Sequence, residues 1–153
     1  MKEGEEAPGF ELEGSDGKKH TLKDFKGKPL VVYFYPRDNT PGCTRESCDF
    51  TAGLTAFRRA GAEVVGISPD SVKSHLGFIE KQGLRHLLLA DPERQVSTEW
   101  GVYREKVLYG KKSLGIVRST FIVDGKGVVR KVFDKVKVDG HVDKVLAALK
   151  ELD

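Results

Sequence analysis

Leu30-Val31-Val32-Tyr33-Phe34-Tyr35-Pro36-Arg37-Asp38-Asn39-Thr40-Pro41-Gly42-Cys43 is the stretch on which the reading of the fold turns. Its first six residues form a continuous run of β-branched, aliphatic and aromatic side chains. Such a run predicts a strand buried on both faces, and Pro36 ends it. Thr40-Pro41-Gly42 leads into a segment of helical character over residues 43–59. There Phe50, Leu54 and Phe57 recur at spacings of four and three and so share one face. A buried strand passing through a short loop into a helix puts Cys43 at the carboxyl edge of an open α/β sheet, where such sheets gather their reactive groups.

Working outward, Gly61 closes the helix and residues 62–68 form the next buried strand. Residues 71–82 predict a second helix stopped by Gly83, residues 87–90 a short strand, and residues 93–100 another helix. Residues 119–123 and 128–133 read as strands joined through Asp124-Gly125-Lys126-Gly127, a hairpin. Residues 138–152 predict a closing helix with Val142, Val145, Leu146 and Leu149 on one stripe. Toward the amino terminus, residues 10–12 and 19–22 flank Ser15-Asp16-Gly17, whose Asp-Gly predicts a β-hairpin. Early strands that alternate with helices imply right-handed parallel crossovers, and the late pair is antiparallel. The expected architecture is α/β: a thioredoxin-like fold with a mixed central sheet, helices on both faces and an N-terminal β-hairpin. Residues 1–153 are expected to form one domain.

Composition narrows the function. Hydrophobic residues make up 39% and charged residues 32%, a globular balance. A net charge of +3 gives no reason to expect nucleic acid or an anionic membrane as partner, and Lys111-Lys112 is too short a block to change that. No apolar run approaches the ~20 residues that span a bilayer. Met1-Lys2-Glu3-Gly4-Glu5-Glu6 is acidic and polar rather than basic-then-apolar, so the chain reads as cytoplasmic. In that compartment thiols are kept reduced, and two cysteines suggest redox chemistry or a metal more than a structural staple.

A lone cysteine is usually a small buried hydrophobe. Here the apolar side of the helix belongs to Phe50, Leu54 and Phe57, seven or more residues away. A cysteine in the first helical turn faces unpaired backbone N–H groups and the positive end of the macrodipole, which favour the nucleophilic thiolate. Thr40 is either an ordinary helix cap or a hydroxyl that serves the thiol or a bound oxygen. Cys48 lies five residues on, which in a helix separates the two Cα atoms by roughly 8.6 Å, beyond the ~7 Å a disulfide tolerates. Either Cys48 is a passive core residue or the helix start must unwind. A metal site is disfavoured by ligand supply, since His20, His75, His86 and His141 lie singly in different elements. No Cys-x2-Cys pair is present to suggest a disulfide exchanger, and no cofactor is expected.

Pro36-x-x-x-Thr40-x-x-Cys43 resembles the active-site signature of the peroxiredoxins. The longer string from Tyr35 to Cys48 resembles the bacterioferritin-comigratory branch, also called peroxiredoxin Q. A second block, Glu105-Lys106-Val107-Leu108-Tyr109-Gly110 through Gly115-Ile116-Val117-Arg118-Ser119-Thr120-Phe121, is similar to the same branch. The resemblance implies a thiol-dependent peroxidase acting on hydrogen peroxide and alkyl hydroperoxides. Cys43 would attack the peroxide and become a sulfenic acid. Thr40 would hydrogen-bond the peroxide, Pro36 would shield the nucleophile from water, and Arg118 would stabilise the thiolate and the developing charge. Without the resemblance, Arg118 would read as a surface ion-pair residue. Glu46, on the same helix, is a further candidate, for orienting Arg118. Cys48 stands at the resolving position, closing an intramolecular disulfide that thioredoxin or a similar dithiol would reduce. The branch also implies a monomer. Two other functions use the same thiol: a peroxide sensor that signals to a protein partner, and a general disulfide exchanger. Exchange alone needs no peroxide-stabilising arginine.

Overall fold

The computed structural model of the chain describes residues 1–152, and of Leu108 the backbone alone. Asp16-Gly17 turns β1 (Glu11–Gly14) back onto β2 (Lys19–Thr21), with Gly17 at φ 80°, a conformation glycine adopts without a steric penalty. A 3-10 turn over Leu22–Phe25 takes residue 22 out of the expected strand. The apolar run forms β3 (Leu30–Phe34), every residue of it buried. Then follow α1 (Pro41–Arg59), β4 (Glu63–Ser68), α2 (Val72–Gln82), β5 (Leu87–Ala90) and α3 (Gln95–Glu99). The chain continues through β6 (Tyr103–Leu108), β7 (Lys111–Ile116), β8 (Ser119–Val123), β9 (Val129–Phe133) and α4 (His141–Lys150).

The main sheet runs β2-β1-β5-β4-β3-β8-β9. β3, β4 and β5 are parallel, as their helical crossovers require, while β8 and β9 pair antiparallel on one side and β1 and β2 on the other. The pleat of β3 divides the core. Val31, Tyr33 and Tyr35 pack with Phe50, Leu54 and Phe57 of α1, Phe78 of α2 and Val145 of α4. Leu30, Val32 and Phe34 face the opposite layer, where Trp100, Val96, Phe121 and Phe10 meet. The mixed sheet with helices on both faces agrees with the thioredoxin-like expectation.

Three differences from the sequence reading have physical causes. Helix α1 begins at Pro41 rather than residue 43, because proline with its fixed φ and missing N–H suits the first helical position. Helix α3 is confined to Gln95–Glu99; Arg94 sits at φ 57°, outside the helical region. The β6–β7 hairpin was not anticipated. Its turn is Tyr109-Gly110, with φ of 52° and 77°, a geometry usually announced by Asn-Gly or Asp-Gly. Val107 and Leu114 on it are 65% exposed, so no buried face shows in the pattern. Among the described residues no helix is long and apolar enough to cross a membrane.

Candidate active site

Cys43 occupies the first turn of α1, just beyond the carboxyl end of β3. It is 1% exposed and borders the core layer of Tyr33 and Phe50, as a buried hydrophobe would. The second motif block enters at this point. Arg118, in the short link between β7 and β8, directs Nη2 to Cys43 Sγ at 3.3 Å and Nη1 to Glu46 Oε1 at 2.6 Å. The backbone of that link is held by Val136, whose N–H donates to the Arg118 carbonyl at 3.0 Å. A guanidinium fork gripping a sulfur and a carboxylate together fixes the angle at which it meets both. Gly42 leaves room for it, because a Cβ there would lie 3.2 Å from Nη2.

Glu46 is wholly buried, and among the described residues its Oε2 has no hydrogen-bond partner. Burial raises its carboxyl from 4.5 to about 7, opposed by the charge and hydrogen bond of Arg118 and aided by Asp49. For Arg118, burial favours loss of the proton, but Glu46 and Cys43 outweigh it and hold the guanidinium above its ordinary value. Glu46 thus meets the arginine from within the core, at the place the sequence reading considered for it. Between pH 4.5 and about 7 the folded chain keeps on Glu46 a proton that the unfolded chain has released. Stability therefore falls as pH rises through that window and stays lowered above it. Glu46→Gln should flatten this slope, recovering up to about 3 kcal/mol at pH 8 relative to pH 5. It should also loosen the hold on Cys43, as Arg118 loses a charged anchor. Urea unfolding at both pH values checks the first expectation, and an unchanged slope would contradict it.

Thr40 precedes the helix with extended backbone, and its hydroxyl donates to the Arg37 carbonyl at 2.9 Å. It neither caps the helix nor bonds the thiol in this state. Pro36, half-buried, lies two residues past the end of β3. Lys106 on β6 brings a second cation to this side of the molecule; burial, then the charge of Arg118, push its ammonium below the ordinary value.

Cys48 is half-buried, and its Sγ approaches Gln82 Oε1 at 3.9 Å. Burial, then the Asp49 carboxylate, raise its thiol. Both cysteines are free, and one unbroken helix, Pro41–Arg59, carries them. The separation expected of an intact helix therefore applies. Beyond the first turn, α1 is tied down from within. Ser47 Oγ lies 2.9 Å from the Tyr33 hydroxyl, which meets His86 Nε2 at 2.6 Å, and His86 Nδ1 meets Thr51 Oγ1 at 2.7 Å. Burial first, then Arg58, lower His86 to about 4, so the ring serves as a neutral link.

His75 does not stand alone as the sequence suggested. Its Nδ1 lies 2.7 Å from Asp38 Oδ2, and the cluster of Asp38, Asp70 and His75 brings its polar atoms within 4.8 Å of one another. The second ring nitrogen, Nε2, lies 2.9 Å from the Leu89 carbonyl. Both ring nitrogens are engaged by protein groups, which leaves neither of them free for a metal. The contact joins positions 37 apart, a pairing no local pattern reveals.

Residues 4–132 match the AhpC/TSA family. Peroxiredoxin Bcp of Bacillus subtilis is 44% identical over 149 residues, covering 97% of this chain and 95% of its own. A solved Xanthomonas campestris bacterioferritin comigratory protein, studied for its alkyl peroxide reduction activity, superposes with a TM-score of 0.88 at 48% identity. That match covers 92% of this chain and 90% of the other. A Xylella fastidiosa PrxQ mutant gives 0.93 at 37% identity, covering 98% and 96%.

Proposed function

The chain belongs to the AhpC/TSA family, in its Bcp and peroxiredoxin Q branch, and from that membership we propose that Cys43 is the nucleophile of its thiol-dependent peroxidase reaction. The observation that carries this reading is the Arg118 fork, with one arm on the Cys43 sulfur and the other on buried Glu46. A charge-assisted hydrogen bond of this kind holds a thiolate more strongly than a thiol, and the same donors face the charge that develops on the peroxide oxygens.

The hydroperoxide enters beside Pro36 and Thr40. The Cys43 thiolate attacks one peroxide oxygen, a sulfur–oxygen bond forms, and the O–O bond breaks. The other oxygen leaves with the electron pair and takes a proton to become water or an alcohol, while Cys43 becomes a sulfenic acid. Thr40 turns its hydroxyl from the Arg37 carbonyl to the peroxide, and Pro36 keeps bulk water from the sulfur. Cys48 then attacks Cys43 Sγ as a thiolate, hydroxide leaves, and a disulfide closes. A dithiol reductant of the thioredoxin type restores both thiols by exchange. The proposal takes residues 1–153 as one catalytic domain, working as a monomer in the cytoplasm on hydrogen peroxide and alkyl hydroperoxides. Because an intact helix holds the cysteines apart, closure requires its start to unwind.

Peroxide consumption with thioredoxin and its reductase tests the reading: sustained turnover supports it, whereas a single equivalent consumed would mark a sensor. Cys48→Ser should still be oxidised once per chain. Its thioredoxin-driven turnover should fall about tenfold or more, since the sulfenic acid no longer has a partner in the same chain. Full thioredoxin-driven turnover in this variant would remove Cys48 from the mechanism.

A further inference from the structure

Asp38 belongs to a loop, yet it is 5% exposed and saturated with hydrogen bonds. The Tyr35 hydroxyl donates to Oδ1 at 2.6 Å, and Ser74 Oγ and His75 Nδ1 donate to Oδ2 at 2.8 and 2.7 Å. Its own N–H donates to Asp70 Oδ2 at 2.8 Å, and Asp70 is fixed by Ser68 Oγ at 2.7 Å. His75 passes the load to β5 through the Leu89 carbonyl. One loop residue is thereby fastened to the ends of β3 and β4, to α2 and to β5. Burial opposes the charge on Asp38, but the hydrogen bonds from His75 and Tyr35 outweigh it and keep the carboxyl below its ordinary value.

The chain beyond Asp38 is held differently. Asn39 is exposed at φ 64°, in the left-handed region that asparagine tolerates better than most residues. From there to Ser47 the ties described above are the Thr40 hydroxyl on Arg37 and the Arg118 fork on Cys43 and Glu46. The Arg45–Asp139 ion pair adds little, since both partners lie in solvent. Oxidation acts on one of these ties. A neutral sulfenic acid replaces the thiolate, so the bond from Arg118 loses its anionic acceptor and weakens. The Asp38 network contains no sulfur and is untouched.

We infer that Asp38 and His75 form a clamp that holds residues 36–40 in their peroxide-accepting shape and confines the unwinding for disulfide closure to the chain between Asn39 and Ser47. The inference rests on Cys43 being the peroxide-attacking thiol. Asp38 and His75 are positioning residues: they act through the placement of Pro36 and Thr40 and touch no reacting atom. The same clamp opposes the two chemical steps, favouring the first by fixing geometry and slowing the second by limiting how much chain comes loose.

The two steps are separable by rapid quench and intact mass, following sulfenic acid and disulfide against time. Asp38→Asn and His75→Gln should lower the rate of Cys43 oxidation about tenfold or more, because small misplacements of reacting groups cost that much or more. Closure from sulfenic acid to disulfide should quicken severalfold. Ser74→Ala removes one bond to Asp38 and should shift both rates the same way by a smaller factor, and it carries the test if the first two variants do not fold. Asp91→Asn is the control. Asp91 is equally buried, and its carboxylate turns to α3, binding Ser97 at 2.8 Å through both N–H and hydroxyl, while its own backbone N–H meets the Ser68 carbonyl and is unchanged by the substitution. It should lose stability with both rates within about twofold of the parent. Unchanged rates in the clamp variants, or rates that fall together as stability falls, would overturn the clamp. A parent protein that does not react with peroxide at Cys43 would instead overturn the peroxidase reading.

Discussion

Serine at position 43 should leave no peroxide turnover above background, with dithiothreitol or with thioredoxin as reductant. A hydroxyl is not ionised at neutral pH and is a far poorer nucleophile toward a peroxide oxygen than a thiolate. Removing an enzyme's nucleophile commonly costs at least about 10⁴-fold, and the remaining residues supply no substitute. Cys48 is no such substitute, for burial and the Asp49 carboxylate hold its thiol above the ordinary value and no arginine in the described set touches its sulfur. The variant should fold, since serine is slightly smaller than cysteine and its oxygen accepts from Arg118. Retained turnover, with an unfolding midpoint close to the parent's, would dismiss Cys43 as the reactive residue.

Arg118→Met should follow closely in size. Methionine keeps much of the length and loses the charge and the fork. Loss of a preorganised donor of this kind costs about 10² to 10³-fold in rate. The same change strands Glu46, whose Oε1 loses its 2.6 Å partner in a fully buried site. Since the arginine is what lowers that carboxyl, its removal should push Glu46 still further up, and the carboxyl should stay protonated at neutral pH. Arg118→Lys should recover little, because one ammonium cannot reproduce two directed bonds to sulfur and carboxylate. Single-turnover oxidation of Cys43 measured from pH 5 to 8 reads both effects. A parental rate in Arg118→Met would remove the arginine from the reaction.

The readable parts of this molecule were those with a local signature. The apolar run of β3 was visible because both its faces are buried, and α1 because Phe50, Leu54 and Phe57 repeat at helical spacing. Cys43 stood out from its place at a helix start, and Arg118 only through the resemblance of a second, distant block. The β6–β7 hairpin escaped because its outer residues are exposed and its turn uses tyrosine where asparagine or aspartate is usual.

By itself, then, the amino-acid order determined the strand–loop–helix that presents Cys43, the alternation that makes a mixed α/β sheet, and the five-residue spacing that keeps Cys48 out of reach in a folded helix. Tertiary structure alone decided which polar groups meet. Arg118 reaches Cys43 from 75 positions away and Glu46 from 72, and His75 reaches Asp38 from 37. Periodicity reports how a segment's own backbone runs and which side is buried. Contacts between segments follow from strand order and register, and these arise from the packing of the whole sheet rather than from any local stretch of chain.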